Sequence, residues 1–276
     1  MTSIAHLDTT ALDTAAKFFR TMQKVGADFT GPLQSVAQRR NLTDYLQMGC
    51  PKIDSSGGIV TPTLPDGEEL ARLILGDDFL SPEDMAKAYG WSYTDDQLAN
   101  FAETLPDLET LKWLKSNGGL LQATPPNDCN LIQVSCLNNK NKVSYYQSEV
   151  WYAKGEQKFA RNDVVKSGEW LMVRKEPYPD SHRKTWDEQL ALLSGKEQVP
   201  NAPEMAYAVT AYFKVRDVYL LQDVYVRTSS IDADGVRVIV SCFSAGSLNV
   251  YNCYDGSRGN IVGVSSSRKS LNSLNT

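Results

Sequence analysis

The chain has 276 residues, a formal net charge of −5, and hydrophobic and charged fractions of 42% and 22%. These values are typical of a soluble globular protein of one large or two modest domains. The acidic balance and the lack of a visible basic face argue against nucleic acid as a partner. No stretch approaches the ~20 apolar residues of a membrane-spanning helix.

The N-terminus and the cysteines limit the cellular setting and the metal chemistry. Residues 1–19 contain acidic side chains and no apolar core of a secretory signal, so we expect a cytoplasmic or virion-associated protein. The chain has no C-x-x-C pair and only two histidines, which is poor material for a zinc site. We therefore expect no cofactor and no metal, with the cysteines as free or buried thiols. The cysteines are Cys50, Cys129, Cys136, Cys242 and Cys253.

The first half of the chain has the patterns of short helices. Apolar residues have roughly helical spacing from 11 to 47, and a Gly/Pro/Ser-rich connector follows at 49–67. Several short segments then begin at good N-cap residues, among them Ser81 and Thr94. We predict a mainly helical N-terminal domain over residues 1–125.

The second half, residues 126–276, is predicted to be an α+β domain. Two helices, beginning near Thr185 and Asn201, separate a first group of strands from a second, and no βαβαβ alternation is present. We expect the two helices on one side of an antiparallel sheet, and the Asp- and Gly-rich "SSIDADGVRV" predicts a hairpin turn. The predicted strands are "NLIQVSCL", "KVSYYQSEVWYA", "SGEWLMVRKEPYP", "VYLLQDVYVRTS", "DGVRVIVSCFS", "SLNVYN" and "NIVGVSSS".

Catalytic motifs are largely missing from the sequence. We find no P-loop, H-E-x-x-H, G-x-S-x-G or G-x-G-x-x-G opening a helix. An enzyme of unrecognised class remains an alternative, working from the aromatic-rich "SYYQSEVWYA" and His182, with Cys242 or Cys253 within hydrogen-bond reach of His182. The spacing leaves open whether the two cysteines are paired. A further alternative is a viral structural or assembly module in which the helical half mediates oligomerisation.

Residues 223–268 have an unusual composition. This window contains no Lys, Glu, Gln, Trp or Met. Strands and tight turns disfavour most of these residues anyway. Randomising the adenines of AAC codons gives only codons that end in C. Such codons encode none of these five residues, so a segment diversified in this way would also lack them. Asn, Ser, Tyr, Gly and Asp, which such codons do encode, are also typical of adaptable binding surfaces.

The order of elements from about residue 145, this variegated segment and the closing "NIVGVSSSRKS" resemble the variable proteins of diversity-generating retroelements. The resemblance implies a C-terminal C-type-lectin-like domain, of the type also found in formylglycine-generating enzymes, whose paired cysteines have no recognisable counterpart here. It also implies a receptor-type binding protein, not an enzyme, whose C-terminal surface is diversified by a mutagenic reverse transcriptase. The ligand is unknown, and we expect it to be a protein.

The resemblance places the ligand site in the variegated segment. We expect its contact residues to lie on one exposed face, above an inward-facing scaffold of Val238, Val240, Ile261 and Val264. The predicted ligand-binding residues are Ser244, Ser247, Asn249, Tyr251, Asn252, Tyr254, Asp255, Ser257 and Asn260.

Overall fold

The computed structural model describes residues 52–53, 59–60, 67–141, 150–244 and 247–268. Residue contacts divide the chain into two compact units, Met1–Pro65 and Asp66–Thr276. In the first unit, strands β1 (Lys52–Ile53) and β2 (Ile59–Val60) pair in antiparallel fashion. The helices predicted between residues 11 and 47 lie outside the described residues.

The second unit begins with four short helices. Ser81 and Thr94 are N-caps as predicted, and each forms a reciprocal capping box with the residue three positions later, Asp84 or Gln97. The helices are α1 (Gly67–Leu75), α2 (Pro82–Tyr89), α3 (Asp95–Glu103) and α4 (Leu108–Ser116), with a 3₁₀ turn at Gly76–Asp78.

A five-stranded sheet joins these helices to the later part of the unit. Its order is β3-β4-β7-β13-β8, with one parallel pair, β3 with β4. The strands are β3 (Phe79–Leu80), β4 (Gly119–Ala123), β7 (Trp170–Arg174), β8 (Glu197–Gln198) and β13 (Ser267–Arg268). The sequence predicts a boundary near residue 125, whereas contacts group residues 67–123 with the C-terminal half, because β4 pairs with β7 across that point.

A four-stranded sheet carries the C-terminal residues. Its order is β11-β10-β9-β12, in which β12 runs parallel to β9 and the other pairs are antiparallel. The strands are β9 (Tyr225–Ile231), β10 (Arg237–Ser244), β11 (Ser247–Cys253) and β12 (Val262–Val264). β11 is an edge strand, and the Trp151 indole N–H donates to its Val250 carbonyl at 2.8 Å.

Helix α8 (Ala202–Arg216) lies at the centre of the unit and contacts both larger sheets. It is buried on nearly all sides over residues 202–212, so its apolar residues do not form a single stripe. The Tyr207 hydroxyl, fully buried, donates to the Ala123 carbonyl of β4 at 2.8 Å. The described residues thus form a mixed α and β structure, as predicted. The prediction of two helices on one side of an antiparallel sheet is wrong, because α8 contacts two sheets and each of them contains a parallel pair.

The remaining short elements include two differences from the prediction. The segment predicted as the strand "NLIQVSCL" is helix α5 (Leu131–Lys140), which Asn130 caps in a capping box with Gln133. The spacing of a short apolar run does not distinguish a helix from a strand. The capping box stabilises the start of a helix here. Trp151–Ala153, predicted within a strand, is a 3₁₀ turn. The other elements are β5 (Cys129–Asn130), α6 (Phe159–Asn162), β6 (Val164–Val165) and α7 (Trp186–Leu190).

The predicted hairpin joins β9 to β10. The Asp232 carboxylate accepts from the backbone N–H groups of Asp234 and Val236 at 3.0 and 2.8 Å, and Gly235 has φ of 79°. The acidic "DADG" sequence is therefore an Asx-type turn closed by the Asp232 carboxylate.

Candidate ligand-binding surface

The nine predicted ligand-binding residues lie on the β10–β11 hairpin and on the segment 254–260 that follows it. Seven are exposed, and Asn249 and Ser257 are half-buried. The most accessible aromatic side chains are Tyr254, 75% exposed, and Tyr251, 53% exposed. The surface formed by these nine residues is called the C-terminal surface below.

The two faces of β11 divide the predicted residues. Tyr251 is opposite Ile239 in the register and Asn249 is opposite Ser241, whereas Asn252 is opposite Val238. Because strand side chains alternate between faces, Asn249 and Tyr251 share one face and Asn252 lies on the other. The Asn252 amide donates to the Asp232 carboxylate in the hairpin turn at 2.7 Å. The prediction of a single common face is therefore wrong for Asn252.

The face that carries Tyr251 includes a second tyrosine that the sequence analysis did not select. Tyr225 of β9 is half-buried, and its ring lies 6.0 Å from that of Tyr251 at an angle of 58°. Burial raises the pKa of the Tyr225 hydroxyl above its usual value, and the Cys242 thiol beside it adds to the shift. Only the strand register brings Tyr225 to this place, since it is 26 residues from Tyr251 in the chain.

A β-bulge shapes the end of β10 next to this face. The register shifts between Ser241 and Ser244, and Ser241 and Cys242 have φ of 124° and 50°. Such values are costly for residues other than glycine, and here surrounding bonds hold them. The Ser241 hydroxyl donates to the Leu221 carbonyl at 3.0 Å, and the Asn249 amide donates to the Cys242 carbonyl at 3.3 Å.

Arg227 of β9 is the buried centre beneath the C-terminal surface. It is fully buried, and its guanidinium donates to the Gln189 side-chain oxygen at 2.8 Å and to the Lys184 carbonyl at 3.1 Å. It also donates to the carbonyls of Tyr254 at 3.2 Å and Ser257 at 2.7 Å. All its hydrogen-bond partners in the described part of the chain are neutral, so it ties loops together without a counter-ion.

The Gln189 side chain is oriented so that its oxygen accepts from the Arg227 guanidinium. Its amide nitrogen donates to the carbonyls of Ser181 at 2.7 Å and Val262 at 3.3 Å, and the side chain is fully buried. With the nitrogen engaged by two carbonyls, the oxygen is the atom left to face the guanidinium. The loop before α7 and the segment after β11 are thus joined through one buried polar network.

The segment 254–261 is attached to the rest of the unit mainly through its own backbone carbonyls. Five of its eight carbonyls accept hydrogen bonds of 2.7–3.2 Å from donors outside the segment. These carbonyls belong to Tyr254, Asp255, Ser257, Gly259 and Ile261. The donors are the Arg227 guanidinium and the backbone N–H groups of Trp186, Arg183 and Tyr225. Such contacts do not depend on which side chains the segment carries.

Asp255 differs from the other predicted residues because its side chain belongs to the scaffold. Its carboxylate accepts two bonds from Arg237, at 3.0 and 3.2 Å, and the Arg237 guanidinium lies 3.8 Å from the centroid of the Trp186 ring. Bidentate pairs of this kind are geometrically specific. At the rim, Arg258 pairs with Glu188 at 2.8 Å and lowers the pKa of that carboxyl to about 2.

Three of the four predicted scaffold residues face inward. Val238, Val240 and Val264 are fully buried, as predicted. The prediction for Ile261 is wrong, because its side chain is 45% exposed. Strand β12 begins only at Val262, so the alternation that predicted an inward Ile261 does not extend to it.

The cysteine–histidine arrangement that the enzyme alternative needs is not formed. Among the hydrogen bonds of the described residues, none joins His182 to Cys242 or Cys253. Cys242 and Cys253 are both free thiols, and the Cys253 sulfur accepts from Arg227 at 3.5 Å.

Within the part of the chain that the structure describes, no helix has both the length and the apolar character needed to cross a bilayer. The chain matches no protein-family model, no curated protein and no solved structure.

Proposed function

We propose that the protein is a receptor-type ligand-binding protein whose C-terminal surface is diversified by retroelement mutagenesis. In this proposal residues 126–276 form a C-type-lectin-like domain, and the helices α7 and α8 between two groups of strands are consistent with the element order of that fold. The ligand is unknown and is expected to be a protein.

The observation that carries the proposal is the main-chain attachment of segment 254–261. A diversified site must keep its backbone in place while its side chains change. Carbonyls held by Arg227 and by backbone N–H groups meet that requirement, since every residue type supplies the same acceptor. A segment fixed through its side chains would lose its conformation at the first substitutions.

The exposed side chains complement this attachment. Within the described residues, five of the seven exposed positions form no side-chain hydrogen bond, the exceptions being Asn252 and Asp255. Tyrosine adds rigid contact area, and the small polar residues add adaptable hydrogen bonding. The five are Ser244, Ser247, Tyr251, Tyr254 and Asn260.

The decisive experiment is at the level of the gene. A near-copy of the DNA that encodes residues from about 240 to 268 should lie close by, next to a reverse transcriptase gene. Mismatches between the two copies should fall at template adenines and should be most frequent at codons of the exposed residues. Neighbouring DNA without such a copy, or mismatches spread over all four bases, would contradict the proposal.

A further inference from the structure

The face shared by the two tyrosines includes two arginines in the register of β9 and β10, Arg227 and Arg237, and both are buried. The part of it called the tyrosine face below consists of Tyr225, Ile239, Asn249 and Tyr251, which adjoin one another in the register of β9, β10 and β11. Ile239 is 5% exposed and forms its floor, whereas Tyr251 is more than half exposed. The accessible atoms of the face are aromatic carbons, a phenol and an amide.

Both arginines are buried, and their guanidinium groups already form hydrogen bonds within the fold. Arg227, opposite Ile239 in the register, is fully buried and bonded to neutral acceptors. Asp255 is held by Arg237 through both carboxylate oxygens. A charged ligand group placed on the tyrosine face would therefore lose hydration without gaining an ion pair, which is costly.

The two rings also define a shape. Their planes are inclined by 58° with centroids 6.0 Å apart, which is the spacing of a packed aromatic pair, so the two rings form one bent surface. A further aromatic side chain can pack on this surface in an offset or edge-to-face arrangement. The Asn249 amide nitrogen donates to the Cys242 carbonyl, and its oxygen is an acceptor for a peptide N–H.

We infer that the ligand of the tyrosine face is an uncharged, aromatic- and amide-rich segment of a polypeptide, bound without ion pairs. The inference rests on the proposed function and adds the chemical class of the partner. It makes Tyr225, a residue of β9 outside the predicted set, part of the binding site.

Random peptides displayed on phage provide a probe for the full-length protein. Peptides selected against it should be poor in Lys, Arg, Asp and Glu, and their Kd should change less than about twofold between ~0.05 and ~0.5 M NaCl, since only charge pairing is screened by salt. Tyr251→Ala should weaken binding by about tenfold or more, as expected for a central aromatic contact. Leu98→Ala is the control, because Leu98 is 45% exposed on α3 and outside this face.

The outcomes separate the inference from the proposed function. Peptides that depend on Tyr251 but are rich in charge, with a Kd that weakens about tenfold in high salt, would overturn the inference and leave the proposed function standing. Displacement of Tyr251-dependent peptides by free oligosaccharides would identify a carbohydrate site and would also overturn it. If no selected peptide is sensitive to Tyr251→Ala, the proposed function fails, and the inference with it.

Discussion

Replacing Arg227 by methionine should release the C-terminal surface from the unit. The substitution keeps an unbranched side chain of similar length but removes every donor to Gln189 and to the carbonyls of Lys184, Tyr254 and Ser257. A hydrogen bond from a charged group contributes about 1.5–3 kcal/mol, and acceptors that water can reach recover part of that loss. Because Arg227 is fully buried and the substitution leaves several acceptors without a donor, we expect a loss of about 3–5 kcal/mol in the free energy of unfolding.

Urea unfolding of the full-length protein measures this loss, and hydrogen exchange shows where it acts. Amides of residues 254–261 should lose protection in Arg227→Met well before the amides of α8. Arg258→Met is the matched control, because its pair with Glu188 is largely exposed and screened by water, so its loss should change stability much less. A loss below about 1 kcal/mol for Arg227→Met, or equal effects of the two variants, would refute the reasoning about main-chain attachment.

Three further predictions concern single side chains. Tyr254→Ser should change the free energy of unfolding by less than about 0.5 kcal/mol in a urea titration, since Tyr254 is 75% exposed; a large loss would show a packed residue. Asp255→Asn, by contrast, should cost about 1–3 kcal/mol in the same titration, because Arg237 loses its bidentate partner and its side chain is only 10% exposed. Burial raises the pKa of the Glu204 carboxyl from 4.5 to about 7, so its charged form destabilises the folded state as pH rises from about 4.5 through 7. Glu204→Gln keeps an acceptor for the Asn201 N–H and should equal the natural protein in stability below pH ~4.5 but exceed it by up to about 3 kcal/mol at pH ~8; stability curves of the two proteins that stay parallel would contradict this.

The elements with local signals could be predicted from the sequence. Ser81, Thr94 and Thr185 cap helices where expected, because a cap and its box partner lie within four residues of each other. The segment of α5 is predicted as a strand although Asn130 and Gln133 carry the same signal, because its β-branched and other apolar residues favour a strand. Local patterns thus located most elements and failed where two patterns conflicted.

The arrangement of the candidate site depends on contacts between distant parts of the chain. In the sequence, Arg227 is one residue of a predicted strand. Its sequence neighbours do not indicate that its side chain reaches the carbonyls of Lys184 and Ser257. Tyr225 likewise meets Tyr251 only because β10 lies between their strands. Composition distinguishes residues 223–268 from the rest of the chain, but it does not indicate that Arg227 holds the segment 254–261 in place.

Asp255 sets a limit on how far the C-terminal surface can vary. Among codons that end in C, only the aspartate codon encodes an acidic residue, so all other residues that randomised adenines place at position 255 lack a carboxylate for Arg237. Each would leave a nearly buried guanidinium above Trp186 without its carboxylate, whereas the same change at the codon of Tyr254 alters only an exposed side chain. If the gene is diversified as proposed, sampled variants should therefore keep Asp255 more often than Tyr254, although the two positions are adjacent in the chain. Equal variation at both codons would mean that the pair with Arg237 contributes little to the fold.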